Sequence, residues 1–425
     1  MDNKRIVIYG GGTVSHVRNH LALCAPAYGS TARRLAELTR ELIPEMDTDL
    51  RLTRMAGGSD LETPEDIDYN LKFLLIDDLT KVIIMNAAIV DYTGTVDNFW
   101  QGRHVPRLKT SEGNKTMDLV PTDKIISKIR KHRKDIFLVG FKATCGVSED
   151  EQYIAGLDLC KKASCNLVFC NDTLYRRNLI VTPEEARYHV THNRDEALRG
   201  LVNMIKLRSH LTFTRSTVVA GSPVPWGSPL VPTSLRTIVD YCISKNAYKP
   251  FNGATVGHFA HKLNDNTFLT SIRKSNFNDL DKNGLVKVVT DGPDTVIAYG
   301  ARPSVGGQSQ RIIFNDHPGL DCVVHFHCPI REGSKVPVRS QYEVECGSHE
   351  CGKNTSEGLA RFGNLWAVYL DNHGPNIVFN KDIDPQEVIN FIEENFDLSE
   401  KTGGFVSIKE RLETPNTLEF AQSVL

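Results

Sequence analysis

The first 210 residues alternate between short apolar segments and longer amphipathic ones, and this order constrains the fold more than any other feature. Nearly continuous apolar segments are typical of parallel strands buried on both faces; they lie at 6–9, 82–88, 136–141 and 167–170. Helical patterns separate them, at 30–42, from Thr63 onward, and at 123–132, 148–163 and 194–205. The alternation predicts an α/β fold whose parallel sheet is covered by helices on both faces.

A proline-rich segment marks a change in organisation. Four prolines lie within 220–233, and proline continues neither a helix nor a central strand, so we place a linker at 216–233. The pattern beyond it predicts helices at 234–247 and 384–396, with shorter strands at 268–270, 285–290, 295–299, 321–325, 366–370 and 377–379. The domain prediction is therefore 1–215, the linker, 234–400, and a polar tail at 401–425.

Composition narrows the possible partners. The chain has 425 residues, with 24% charged residues and a net charge of −2, so neither a nucleic-acid partner nor a membrane partner is indicated. We find no signal-peptide pattern and no apolar stretch near the roughly 18 residues of a membrane span. Ten cysteines are spread over this long chain, which favours reduced thiols and a cytoplasmic location.

Two histidines in an apolar segment form the sharpest chemical signal. Side chains alternate along a strand, so His325 and His327 are expected on one face. A third histidine, His373, lies between Asn372 and Gly374 after another apolar segment. Three histidine ligands with an open fourth position are typical of catalytic zinc. The alternative is that these are core histidines whose hydrogen bonds are satisfied by the protein.

A polar segment near residue 348 leaves three interpretations open. Cys346 and Cys351 flank His349 in a glycine-containing sequence. These residues could form an added metal site or a redox pair, or they could be incidental thiols in a loop.

The N-terminal half carries an ordered series of motifs. Gly10–Thr13 follows the first strand, where glycines let the backbone approach a phosphate, but the spacing is not that of a dinucleotide site. Further motifs follow at 86–92, 107–109, 121–125, 139–143 and 169–172. Over about residues 4–208, this series resembles phosphopantothenoylcysteine synthetase, the ligase family of coenzyme A synthesis.

The resemblance implies a domain that binds CTP or ATP with Mg²⁺, activates a carboxylate as an acyl-nucleotide and couples it to cysteine. Lys109 would meet the triphosphate as a catalytic residue. The implied nucleotide-binding residues are Gly11, Gly12, Thr13, Ala88, Asp91, Lys109, Phe141, Asn171 and Asp172. Two departures concern the ligase step: the family's Asn-x-Ser-Ser-Gly segment is not recognisable, and its strand glutamate is replaced by Thr144.

A second series of motifs, between about 234 and 400, resembles the class II aldolase/adducin family. It comprises turn and loop motifs at 252–258, 268–271, 278–280 and 302–304, then the His-x-His and Asn-His-Gly segments. The resemblance implies an α/β/α domain with a divalent metal, most often zinc, held by His325, His327 and His373. The implied substrate-binding residues are Asn252, Gly253, Thr270, Ser271 and Ser304.

The acidic base of that family is replaced in this chain. Its position falls on Gly306, and the nearby Gln308 and Gln310 cannot accept a proton near neutral pH. Glu343, Glu345 and His349 are the candidate substitutes, and we assign the catalytic role to Glu345.

Together these patterns predict a bifunctional small-molecule enzyme. It would pair a nucleotide-binding, carboxylate-activating domain with a metal-dependent aldolase- or epimerase-like domain acting on a hydroxylated, phosphorylated substrate. One alternative is a phosphopantothenate–cysteine ligase with a non-catalytic appendage. Another is a non-enzymatic binding or assembly protein, for which adducin is the precedent. By analogy with both families, we expect a homo-oligomer.

Overall fold

The computed structural model describes residues 4–99, 101–304 and 307–402. Their contacts divide the chain into two units: one with the described residues through Pro183 and Tyr188–Ser209, the other with Glu184–Arg187 and the described residues from His210. None of the described helices is long and apolar enough to cross a membrane. The boundaries 1–215, 216–233, 234–400 and 401–425 stay a prediction, and 403–425 lies outside the described residues.

The strands before residue 192 are β1 (Arg5–Gly10), β2 (Val14–Arg18), β3 (Leu21–Cys24), β4 (Asp47–Leu52), β5 (Thr80–Met85), β6 (Tyr92–Val96), β7 (Met117–Pro121), β8 (Phe137–Thr144), β9 (Leu167–Asp172), β10 (Asn178–Val181) and β11 (Arg187–Thr191). The helices of the same region are α1 (Ser30–Leu42), α2 (Pro64–Ile76), α3 (Ile126–His132), α4 (Glu149–Ala163) and α5 (Arg194–Arg208). Thr63 caps α2 as expected, because its hydroxyl accepts a hydrogen bond from the Asp66 amide at 3.2 Å.

The main sheet of the first unit has the order β11-β10-β9-β8-β5-β1-β4. The pairs from β4 to β9 are parallel, and the β9–β10 pair is antiparallel. Along the sheet, the chain passes from β1 to β4 in one direction, and from β4 to β5, β8 and β9 in the opposite direction. Right-handed crossovers therefore put α1 on one face and α2–α4 on the other. This confirms the predicted Rossmann-like sheet and creates a switch point between β1 and β5.

The strands after residue 192 are β12 (Arg215–Val219), β13 (Pro250–Phe251), β14 (Ala254–Thr255), β15 (His258–Asn264), β16 (Thr267–Ser271), β17 (Leu285–Thr290), β18 (Thr295–Tyr299), β19 (Cys322–His325), β20 (Val338–Arg339), β21 (Ala360–Phe362), β22 (Leu365–Leu370) and β23 (Gly374–Phe379). The helices are α6 (Thr233–Ser244), α7 (Leu280–Asn283), α8 (Gly307–Asp316), α9 (His349–Gly358) and α10 (Pro385–Asn395).

The large sheet of the second unit has the order β12-β18-β17-β16-β15-β19-β23-β22-β20, with β21 beside β22. On one face, α6 and α10 cover a core that includes Val324 and Ile377. On the other face, residues of α8 pack in a core with Val323 and Val378. Neighbouring residues of one strand thus enter opposite cores, as strand pleating requires. This arrangement confirms the predicted α/β/α architecture.

The proline-rich segment takes part in this fold. Strand β12 pairs in parallel with β18, and Val224 exchanges backbone hydrogen bonds with Leu285 at 2.7 and 2.8 Å. The range interpreted as a linker from its prolines therefore includes ordered contacts of the second unit. The sequence patterns also missed β15 and α8, which border the site described next, and α9, which packs on α8.

Candidate functional site

The three histidines of the metal prediction meet at one edge of the second sheet. His325 is the last residue of β19, and His327 follows two residues later. Val324 and Phe326 enter the core beneath α6 and α10, so the two histidines face the opposite side, as the alternation predicts. His373 lies in the turn between β22 and β23, and β23 pairs directly with β19.

The three imidazoles are close enough to share one ion. The Nε2 atoms of His325 and His373 are 3.2 Å apart. Ring centroids are 5.0 Å apart for His325 and His327, 4.5 Å for His325 and His373, and 4.7 Å for His327 and His373. Each residue can offer a nitrogen so that all three nitrogens lie within 4.8 Å of one another. Their exposed fractions are only 1%, 4% and 2%.

The chemistry of this cluster fits a divalent metal. His325 Nδ1 lies 2.7 Å from the Pro375 carbonyl oxygen and donates to it, which leaves the Nε2 lone pair facing His373. Burial, followed by the positive charge that His373, His258 and His327 would carry, lowers the His325 pKa far below its ordinary value. The ring is therefore neutral at neutral pH, as a metal ligand must be. Three convergent, buried imidazoles suit zinc.

A second cluster with ligand-type side chains, His261, Asp321 and Cys322, is less suited to a metal. His261 Nδ1 lies 3.1 Å from the Asp321 backbone oxygen, and Asp321 Oδ1 accepts a hydrogen bond from the Lys381 amide at 2.6 Å. Burial raises the pKa of the Cys322 thiol well above its usual range, so the sulfur keeps its proton.

Sequence reasoning missed a fourth histidine at the site. His258 opposes His325 in the β15–β19 pair, and the ring centroids are 4.7 Å apart. The Gln310 Nε2 donates to His258 Nδ1 at 2.8 Å, which leaves the ring proton on Nε2. Burial, followed by the charge of His327, lowers the His258 pKa to about 3. Gln310 thus places α8 beside the metal cluster, although it cannot itself act as a base.

Two glycines explain how the backbone packs so closely here. A Cβ on Gly257, where φ is +119°, would lie 2.5 Å from the His325 carbonyl oxygen. A Cβ on Gly374, where φ is +143°, would lie 2.1 Å from the Phe326 carbonyl oxygen. Glycine tolerates both the positive φ and the close approach. The glycine of the Asn-His-Gly segment is therefore needed to bring His373 against the His-x-His segment.

The structure brings some of the predicted substrate-binding residues together. Ser271 ends β16, beside β15, and its carbonyl accepts a hydrogen bond from the Ser304 amide at 2.9 Å. The Thr270 hydroxyl is already committed to the Phe259 carbonyl at 3.2 Å. Asn252 and Gly253, with φ of +49° and +80°, form the exposed two-residue turn between β13 and β14. Their substrate roles stay predictions.

Cys346, His349 and Cys351 belong to neither of the two ligand clusters found among the described residues. His349 Nε2 is 3.3 Å from Asp294 Oδ1, while Cys351 lies within α9 with its thiol pKa raised by burial. Cys346 and Cys351 do not form a disulfide with each other. Glu345 is 6% exposed and its carbonyl accepts a hydrogen bond from the Ser348 amide, and its catalytic role stays a prediction. Gly306 lies outside the described residues.

In the first unit, the predicted phosphate-binding residues meet at the switch point. The Thr13 amide and hydroxyl donate to the Ala88 carbonyl oxygen at 3.0 and 3.1 Å, and the Ala88 amide donates to Gly11 at 2.9 Å. The Gly12 amide donates to the Ala27 carbonyl at 2.7 Å. A phosphate held by the Gly12 or Thr13 amide would have to replace these bonds. Their binding roles stay predictions at a location where such folds commonly bind nucleotides.

The other predicted nucleotide-binding residues have varied surroundings. Phe141 stacks on Phe169 with ring centroids 5.1 Å apart. Asp172 is 2% exposed, and its carboxylate accepts hydrogen bonds that organise the turn after β9; the donors are the amides of Gly146, Val147, Leu174 and Tyr175 and the hydroxyl of Thr144.

Three more of these residues lie at strand ends or beyond them. Asn171 opposes Asn178 in the β9–β10 pair, and Asp91 forms a 2.6 Å ion pair with Lys124. Lys109 is exposed, immediately before a short 3₁₀ turn. The segment that replaces the family's Asn-x-Ser-Ser-Gly motif contains the hairpin β2–β3. The nucleotide and catalytic roles of these residues stay predictions.

Comparison with known proteins returns a coenzyme A biosynthesis protein and, among solved structures, an aldolase. No family model matches the chain. A curated relative, the coenzyme A biosynthesis bifunctional protein CoaBC of Thermococcus kodakarensis, is 31% identical over 91 residues, which is 21% of each protein. The chain thus aligns with about a fifth of that relative's length.

Two solved structures extend the comparison. The DNA/pantothenate metabolism flavoprotein of Streptococcus pneumoniae has 20% identity and a TM-score of 0.41, with 48% of this chain and 98% of that chain covered. L-fuculose 1-phosphate aldolase has 16% identity and a TM-score of 0.30, with 40% and 84% covered. The chain is thus similar to a coenzyme A biosynthesis protein in one part, and it also has a weak likeness to the structure of L-fuculose 1-phosphate aldolase.

Proposed function

We propose that the second unit is a divalent-metal enzyme of the aldolase or epimerase type, acting on a hydroxylated, phosphorylated small molecule. The observation that carries the proposal is the convergence of three buried, clustered imidazoles, with His325 Nε2 and His373 Nε2 3.2 Å apart. His325, His327 and His373 would hold a divalent ion, with zinc favoured by the nature of these ligands, and the ion would supply a Lewis acid for carbonyl or hydroxyl oxygens.

Other side chains of the second unit would orient the substrate. Within the described residues, Ser271 Oγ and Gln310 Oε1 are buried and have no hydrogen-bond partner. Buried polar atoms are normally paired, so the Ser271 hydroxyl is a candidate to bind a substrate phosphate or hydroxyl group. Gln310 Oε1 is a candidate to accept a hydrogen bond from a substrate hydroxyl group or from ordered water. His258 has its Nδ1 held by Gln310, so its Nε2–H is a neutral donor for a substrate oxygen.

For the first unit, we propose binding of CTP or ATP with Mg²⁺ and activation of a carboxylate. Support comes from the ordered motifs, from the sequence match to CoaBC and from the position of Gly11–Thr13 and Ala88 at the β1–β5 switch point. Lys109 would neutralise phosphate charge in that reaction. The homo-oligomer expected from both families is retained as part of this proposal.

The lyase proposal is tested by assaying cleavage and epimerisation of a panel of sugar phosphates, including L-fuculose 1-phosphate, with zinc-loaded and chelator-treated protein. We expect aldehyde release that the chelator removes, zinc restores and His373→Ala lowers by at least about 100-fold, because each ligand is needed to hold the ion. The His210→Ala variant, which changes an exposed histidine of the same unit, is the control and should keep full activity. Activity that persists after complete metal removal would contradict the proposal.

The ligase proposal needs a separate assay. Incubation with CTP or ATP, 4′-phosphopantothenate and cysteine should release pyrophosphate if the first unit activates a carboxylate, and Lys109→Ala should reduce the rate. Nucleotide that raises the melting temperature without any pyrophosphate would indicate binding alone. If neither nucleotide nor metal changes the melting temperature, the alternative of a non-enzymatic assembly protein would replace both proposals.

A further inference from the structure

A carboxylate that no sequence motif singled out lies against the candidate metal centre. Glu185 belongs to the segment Glu184–Arg187, which is part of the second unit. Its side chain is only 1% exposed, and its backbone has a left-handed φ of +73°. Non-glycine residues in this region are uncommon, and surrounding structure must hold them there. Strained backbone conformations of this kind are concentrated at functional sites.

The Glu185 carboxylate faces a candidate metal ligand on one side and a lysine on the other. Its Oε2 atom lies 3.8 Å from His327 Nδ1 and 2.6 Å from Lys401 Nζ. Burying a carboxylate is unfavourable unless an opposite charge compensates it, and Lys401 supplies that charge. The Lys401 side chain is itself 21% exposed.

Thr402, which follows Lys401, is hydrogen-bonded to the backbones of two candidate ligands, His327 and His373. The Thr402 amide donates to the His327 carbonyl oxygen at 3.2 Å, and its hydroxyl donates to the His373 carbonyl oxygen at 2.7 Å. Lys401 thus contacts the Glu185 carboxylate, and the adjacent Thr402 contacts the backbones of His327 and His373.

We propose that Glu185 is a positioning residue for His327, an inference that rests on the metal centre proposed above. A negative carboxylate disfavours a lone pair on the nitrogen that faces it and favours an N–H there. Glu185 would thus keep the His327 proton on Nδ1 and the lone pair on Nε2 for the ion. His325 is oriented in the same sense by the Pro375 carbonyl oxygen. Ligand histidines commonly use such a partner on their second nitrogen.

The test compares metal affinity and ligand geometry in full-length variants. Zinc affinity is measured by competition with a chromophoric chelator, and the geometry is followed by the visible absorption of bound Co²⁺. We expect Glu185→Gln to weaken zinc binding by about 10- to 100-fold and to alter the Co²⁺ bands. Glu185→Asp should recover part of the affinity, because it restores the charge. The matched control is Glu357→Gln, which changes an exposed glutamate of the same unit paired with Arg339 at 3.5 Å.

The outcomes separate this inference from the proposal on which it rests. If the native chain binds no zinc or Co²⁺, the metal centre itself is wrong. If the native chain binds and Glu185→Gln has the same affinity and Co²⁺ spectrum, the positioning role is overturned. Should Glu185→Gln fail to fold, Glu185→Asp and Lys401→Met provide the test, with weaker binding expected in both. Native affinity in both of those variants would also overturn the role.

Discussion

Replacing His325 with alanine is expected to weaken binding of zinc by at least about a thousandfold. Loss of a group that only orients a ligand typically costs about 10- to 100-fold in affinity, and loss of the ligand itself should cost more. The ring centroid of His325 lies 5.0 Å from that of His327 and 4.5 Å from that of His373, so all three rings can share one ion. Competition titration with a chromophoric chelator measures the change directly.

The matched control for this variant is His210→Ala. His210 is a histidine of the same unit, but its side chain is exposed and it belongs to neither ligand cluster. This variant should bind zinc like the native protein. Equal losses in the two variants would point to a general disturbance of the fold. Full affinity in His325→Ala would contradict the three-histidine centre.

Substituting Gly374 with alanine is expected to lower both stability and metal affinity. The added Cβ would lie 2.1 Å from the Phe326 carbonyl oxygen, and the backbone φ of +143° is unfavourable for alanine. Overpacking and backbone strain together should destabilise the native state by about 3 kcal/mol or more. Because Gly374 follows His373 and contacts the segment before His327, relief of the clash would also separate these ligands. Thermal unfolding and zinc titration measure the two effects.

The control for this prediction is Gly319→Ala. A Cβ on Gly319 meets no atom within 4 Å, and its backbone φ lies outside the left-handed range. Its effect on the free energy of unfolding should stay within about 0.5 kcal/mol, as for most surface substitutions. A Gly374→Ala variant that unfolds and binds zinc like Gly319→Ala would show that the close approach of the two backbones is not required.

Local patterns were enough to predict much of this fold. The helix at 30–42 and the strands at 285–290 and 295–299 have the predicted bounds. In each of these segments the pattern of apolar residues is clear and stops at a definite residue. The common face of His325 and His327 followed from strand geometry alone. The convergence with His373 was predicted from its position after an apolar segment and from the family resemblance, because nothing local indicates that β23 pairs with β19.

Other parts depend on contacts between distant segments. Helix α9 contains glycines and polar residues and was interpreted as a loop. A Cβ on Gly352 would lie 2.6 Å from the Ile312 side chain, so close packing on α8 explains the glycine within the helix. Tertiary packing thus overrides local helix propensity here. His258 ends the 252–258 motif but was given no role there, and Glu185 belongs to no motif. Only the folded chain places the two residues beside the histidine cluster.

The most direct test of the metal centre is the metal content of the purified protein, measured by mass spectrometry beside a His325→Ala/His327→Ala variant. We expect about one tightly bound zinc or similar divalent ion per native chain and none in the variant, because a closed set of three imidazoles binds zinc strongly. Absence of metal from the native protein, even after incubation with zinc and manganese, would contradict the proposed metal-dependent function of the second unit.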